Sequence, residues 1–63
     1  MTTEERLIEN HGHVLVKKEV QEELRVSEST LDLMRKKGEI KFTKVGGSIR
    51  FSAREIARLI DGE

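Results

Sequence analysis

The chain has 63 residues, with 12 Lys and Arg balanced by 12 Asp and Glu, no Cys, no Pro, and two Phe as its only aromatic residues. That length allows one domain near the lower limit for unaided folding, with a core worth about 3–5 kcal/mol of net stability. Disulfide scaffolds and Cys-based zinc sites are excluded, and a cleft of about 300–1,000 Å³ would consume most of such a core, so an enzyme is not expected. No apolar run reaches the ~18–20 residues of a membrane span, and the polar start Met1-Thr2-Thr3-Glu4-Glu5 does not read as a signal peptide. A small cytoplasmic binding module is the expectation.

In chain order, Thr2 and Glu5 have the spacing of a capping box, predicting a short helix over residues 3–10 within an N-terminal extension of residues 1–13. His13-Val14-Leu15-Val16 is β-prone, and Lys17–Leu24 returns to helical periodicity with Val20 and Leu24 at i, i+4. Lys17 and Lys18 oppose the dipole at that helix's start, which suits an anion held there from outside. Arg25-Val26 is the turn, and Ser27 caps a helix ending in Arg35-Lys36-Lys37 before Gly38, a cationic last turn with a left-handed glycine stop. Two helices so closely joined form a helix-turn-helix candidate.

A hairpin follows. Ile40, Phe42 and Val45 are expected inward on its first strand and Ile49 and Phe51 on its second, with Gly46-Gly47 as the tight turn. Ser52 and Glu55 then form a capping box opening a last helix with Ile56, Leu59 and Ile60 on one face; Met34, Phe42 and Phe51 read as core. The expected fold is mainly α with a small β-hairpin, in the order helix, turn, helix, hairpin, helix over residues 14–63; the resemblance given below implies that the hairpin is the wing of a winged helix-turn-helix.

The zero net charge hides a segregation: residues 1–34 sum to −4, residues 35–54 to +6 and residues 55–63 to −2. A basic block of twenty residues in a neutral chain is the footprint of an anion-binding face. At ~100° per residue, Ser29, Asp32, Leu33 and Lys36 lie opposite Leu31 and Met34 on the second helix of the pair. They are the candidates for base edges: Ser29 as donor and acceptor, Lys36 toward guanine, Asp32 toward cytosine N4 and Leu33 toward a thymine methyl. For Asp32 the plainer alternative is an i, i+4 surface pair with Lys36. Thr30, Arg35 and Lys37 flank that face and, with Lys17 and Lys18, suit phosphates. Lys44, Gly46, Gly47, Ser48 and Arg50 make up the wing. His11 and His13, at i, i+2 with no cysteine nearby, make a poor metal site and read as a solvated loop pair. No cofactor, metal, membrane or small-molecule substrate is expected.

From Leu15 to Ile60 the chain resembles the excisionase-type, MerR-like winged helix-turn-helix domain of bacteria and phages. Val26-Ser27-Glu28-Ser29-Thr30-Leu31, Lys36-Lys37-Gly38-Glu39-Ile40, Lys44-Val45-Gly46-Gly47, Ile49-Arg50-Phe51 and Glu55-Ile56 carry the likeness in register. It departs from the family pattern at Lys41, where proline is usual, at the Gly47-Ser48 turn, often Arg-rich, and in the second helix, which exposes Glu28, Asp32 and Leu33 where aromatic or basic residues are usual. The resemblance implies that this helix enters the major groove of double-stranded DNA, with the hairpin as a wing on the backbone or minor groove. Members act as excisionases or as small transcription regulators. The leading expectation is a sequence-specific protein that binds and bends attachment-site DNA so that an integrase runs toward excision in a bacterial or phage-infected cell, with further copies of itself on adjacent sites. The alternatives are a transcription regulator of the same element and a protein-interaction, anti-repressor-like module on the same scaffold. The DNA reading needs Lys36, Lys44 and Arg50 to share one side of the molecule.

Overall fold

The structure is a computed structural model describing residues 1–62; Glu63, the last residue of the predicted domain, lies outside the described residues. The elements run α1 (Thr3–His11), β1 (Val14–Val16), α2 (Lys17–Leu24), α3 (Glu28–Lys36), β2 (Thr43–Val45), β3 (Ser48–Ser52) and α4 (Ala53–Asp61). The fold is a helix-turn-helix with a β-hairpin wing.

The helix starts follow local chemistry. The Thr2 hydroxyl accepts from the Glu5 N–H at 3.1 Å while the Glu5 carboxylate accepts from the Thr2 N–H at 2.9 Å. Ser27 and Ser52 accept from Thr30 and Glu55 in the same way. Val16 offers α2 no side-chain cap, but its N–H donates to Glu19 at 2.9 Å. At the end of α3, Gly38 adopts φ 75°, its N–H donates to the Arg35 carbonyl, and the Glu39 N–H donates to Met34. That pair of bonds is the Schellman ending that the cation-then-glycine sequence predicts.

The sheet is antiparallel in the order β1-β3-β2, so the chain before α2 becomes an edge strand beside the hairpin. The Val45↔Ser48 pairing leaves Gly46 and Gly47 as a two-residue loop, with φ 57° and 85°. Positive φ at both central positions is the twist-matched hairpin turn that glycine allows at little cost. Leu15 faces Phe51 across the ladder, and both are buried.

The core is one cluster of Leu7, Leu15, Val20, Leu31, Ile40, Phe51, Ala53, Ile56 and Ala57, joining every helix to the sheet. Met34 and Leu59 are partly buried against it. Two expectations need correction. The first hairpin strand is shorter than predicted, and Phe42 and Val45 lie outward, 40% and 58% exposed. Ile40 alone turns inward, because the chain enters the sheet only at Thr43, and the pairing Val45↔Ser48 puts Val45 on the face away from Ile49 and Phe51. Glu55 does not close its predicted box with Ser52; its carboxylate accepts from the Lys41 N–H at 3.2 Å and meets Arg58 at 2.6 Å.

Helix α1 packs on α4, buries Leu7, and ties its first turn to the last turn of α4 through the Thr3 hydroxyl, which donates to Asp61 at 2.7 Å. Its other end is fastened to α2: His11 meets Glu23 at 2.8 Å and Glu19 at 3.3 Å, and Arg6 meets Glu23 at 3.1 Å. The hydrogen bond to Glu23 is the main cause that holds the His11 imidazolium above its ordinary value of 6.5, while His11 and then Arg6 hold Glu23 below 4.5. A raised imidazole stabilises the fold below its unfolded value and loses that contribution as pH climbs through the folded value; the lowered carboxylate loses its contribution as pH falls through its own folded value. The melting temperature should therefore be highest near pH 5–6 and decline by a few degrees as pH passes above about 6.5. His11→Gln should flatten that alkaline decline, which calorimetry at a series of pH values will read.

Candidate nucleic-acid interface

Helices α2 and α3 meet through a turn in which Arg25 takes φ 57°, ψ 47°, the left-handed region. The Arg25 and Val26 N–H groups both donate to the Gln21 carbonyl, closing α2 as a glycine would, but with a side chain present. Val20 and Leu31, fully buried in the common core, hold the two helices from beneath.

The exposed row of α3 comprises Ser29, Leu33 and Lys36, with Thr30 and the C-cap Lys37 beside it. Leu33 is half exposed in spite of its apolar side chain. Asp32 stands at the edge of that row rather than on it. Its carboxylate meets the Lys17 ammonium at 2.8 Å and the Arg35 guanidinium at 3.0 Å, and Lys17 also meets Glu28 at 3.1 Å. Lys17, then Arg35, hold the Asp32 carboxyl below its ordinary value, and Asp32, then Glu28, raise the Lys17 ammonium. The pair expected at Lys36 is therefore made instead with Arg35, one residue nearer, and with Lys17 of the preceding helix. The anion that the cationic start of α2 called for is supplied from within the chain, by α3.

Among the described residues, no ion pair engages Lys18, Lys36, Lys37, Lys44 or Arg54. The two acids of α3, Glu28 and Asp32, hold a cation of the same chain, as Glu19 and Glu23 do beside α1. This pairing offsets the acids of α3 itself and leaves its cations to solvent. Arg35 is the exception, tied to Asp32 and lying over the Phe42 ring, 4.9 Å from its centroid.

In the hairpin, Lys44 stands opposite Ile49, while Arg50 stands opposite Thr43 on one side and Val16 on the other. Cross-strand partners share a face and neighbours alternate, so Lys44 and Arg50 leave opposite faces of the ribbon. The expected single cationic surface through Lys36, Lys44 and Arg50 is corrected accordingly: the wing carries a cation on each face, flanking the Gly46-Gly47 tip and the exposed Ser48. The Arg50 guanidinium also donates to the Ile49 carbonyl at 3.2 Å. Sequence reasoning missed Phe42 as a partner of Arg35 and Lys17 as a partner of Asp32; only the i, i+3 spacing of Asp32 and Arg35 announced any part of this cluster.

A family model described as a helix-turn-helix domain matches residues 15–63. The chain belongs to this helix-turn-helix domain family. No curated protein and no solved structure matches the chain. The matched residues begin at β1 and take in α2, α3, the hairpin and α4. The protein is a DNA-binding helix-turn-helix protein of a generally non-enzymatic family. Among the described residues, no helix is long and apolar enough to cross a membrane, and no three His, Asp or Glu side chains group as metal ligands.

The left-handed Arg25 provides a test of the turn. Glycine tolerates this conformation and a side chain pays for it. Arg25→Gly should raise the unfolding free energy by about 0.5–1 kcal/mol, since the lost conformational strain outweighs the added freedom of the unfolded chain. Urea denaturation of the two proteins reads the difference directly.

Proposed function

We propose that this protein is a sequence-specific, MerR-like winged helix-turn-helix DNA binder of the excisionase kind, which binds and bends attachment-site DNA and biases an integrase toward excision. Residues 14–63 form the DNA-binding unit, braced by the extension 1–13. The observation that carries the reading is the exposed row Ser29, Leu33 and Lys36 on α3 of a helix-turn-helix domain; the single cationic side through Lys36, Lys44 and Arg50 is not met, so the reading rests on that row and on the family and not on a shared basic surface. Ser29, Leu33 and Lys36 read base edges in the major groove, Lys36 as donor to guanine and Leu33 against a thymine methyl. Asp32 reaches the edge of the same groove and discriminates by repulsion as well as by accepting from cytosine, at the cost of loosening its hold on Lys17.

Thr30, Lys37 and Lys18 contact phosphates, with Lys17 and Arg35 contributing charge from just behind them. The wing residues Lys44, Gly46, Gly47, Ser48 and Arg50 enter the minor groove, where a cation on each face of a thin ribbon meets the phosphate wall on either side. A minor groove about 6 Å wide admits such a ribbon only edgewise or with widening, which is a source of bending. One module of this size covers about 600–1,000 Å² on DNA, so useful occupancy comes from copies on adjacent sites or from the integrase.

Selection of bound fragments from the source genome at moderate salt identifies the site. On that site, about five phosphate contacts give a log–log salt slope of roughly −4 to −5. Lys36→Glu and Arg50→Glu should each weaken the gel shift by about tenfold or more, since each replaces a contact by a repulsion. Unchanged binding by both variants would favour the protein-interaction module instead. Fragments drawn from promoters rather than attachment sites would favour the transcription regulator.

A further inference from the structure

The chain between α3 and the wing, residues 37–42, contains Gly38 and enters no strand until Thr43. Ile40 anchors this segment in the core and β3 is paired to β1. Two further contacts tie the wing root to α4 and to α3. On one side the Lys41 N–H is held by Glu55 of α4 at 3.2 Å. On the other, the Arg35 guanidinium of α3 lies over the Phe42 ring at 4.9 Å, while Asp32 grips the same guanidinium at 3.0 Å and is itself gripped by Lys17 of α2 at 2.8 Å. The Arg35 Nε is buried without a hydrogen-bond partner. The ring and the carboxylate together orient the guanidinium. Phe42 is 40% exposed, and its role here is not that of a core residue.

We propose that Arg35 is a positioning residue: stacked on Phe42 and aimed by Asp32, it fixes the wing relative to the recognition helix, and so sets the spacing at which the two reach the duplex. This deepens the DNA-binding reading above and rests on it for its functional meaning. A planar guanidinium is required, because an ammonium cannot both stack on a ring and present a fork to a carboxylate. The contact runs α2–Lys17, α3–Asp32 and Arg35, wing root–Phe42, so that all three DNA-facing elements share one chain of charge-assisted and cation–π contacts.

The absence of native cysteine makes the geometry measurable without DNA. With spin labels on Lys36→Cys and Ser48→Cys, the helix-to-wing distance distribution should be narrow in the parent, at least twice as wide in Phe42→Leu and in Arg35→Lys, and narrow again in Phe42→Tyr, which keeps the ring. On the selected DNA fragment, unlabelled Phe42→Leu should bind about three- to fivefold more weakly. It should lose hydroxyl-radical protection at the phosphates under the wing while keeping that under α3, and Phe42→Tyr should restore both. Loss of protection under α3 as well as under the wing in Phe42→Leu would show a general loss of folding and would overturn the positioning role. Equal widths for Phe42→Leu and the parent overturn the proposal. Failure of the parent to protect any fragment overturns the DNA reading, and the label distances still decide whether Arg35 holds the wing.

Discussion

The interface depends on the fixed disposition of α2 and α3. Beneath, Val20 and Leu31 are fully buried in the one core cluster. Above, Lys17 reaches from the first turn of α2 to Glu28 and Asp32 of α3. The ion pairs are partly exposed and contribute modestly to stability; what they add is direction. They turn Asp32 and Glu28 toward α2 and away from the row Ser29, Leu33 and Lys36. A helix with two acids in its first five residues can then present a face without strong negative charge. The same internal pairing repeats at His11 with Glu19 and Glu23 and at Arg58 with Glu55, and among the described residues Lys36, Lys37 and Lys44 enter no ion pair.

Elements whose limits depend on near neighbours were readable from the residues. Ser27 and Gly38 mark the ends of α3 because capping is settled within four residues of each end. Gly46-Gly47 marks the hairpin for the same reason, and the apolar spacing of Ile56 and Leu59 marks α4. The family likeness carried by residues 15–60 rests on those same local signals, and the helix-turn-helix family match covers the same stretch.

What was not legible depends on partners distant in sequence. That β1 pairs with β3 across 36 residues is a matter of tertiary assembly, and a β-prone run of three residues does not state its partner. Alternation from Ile40 places Phe42 inward, yet the chain passes over the edge of the core before the strand begins, and the ring is left for Arg35. Lys17 looked like a cation awaiting an outside anion because its true partners are eleven and fifteen residues away. The expected single cationic face failed by parity: Lys44 and Arg50 are both wing cations, but the register assigns them to opposite faces.

Titration of the 15N-labelled protein with its selected DNA site, followed by amide chemical shifts, tests the central claim most directly. The account predicts the largest shifts at Ser29, Leu33, Lys36, Gly46 and Gly47, with the exposed side of α1 around Glu4 and Glu9 unmoved. Saturation with shifts concentrated on α1 and α4, and none along α3, would contradict it.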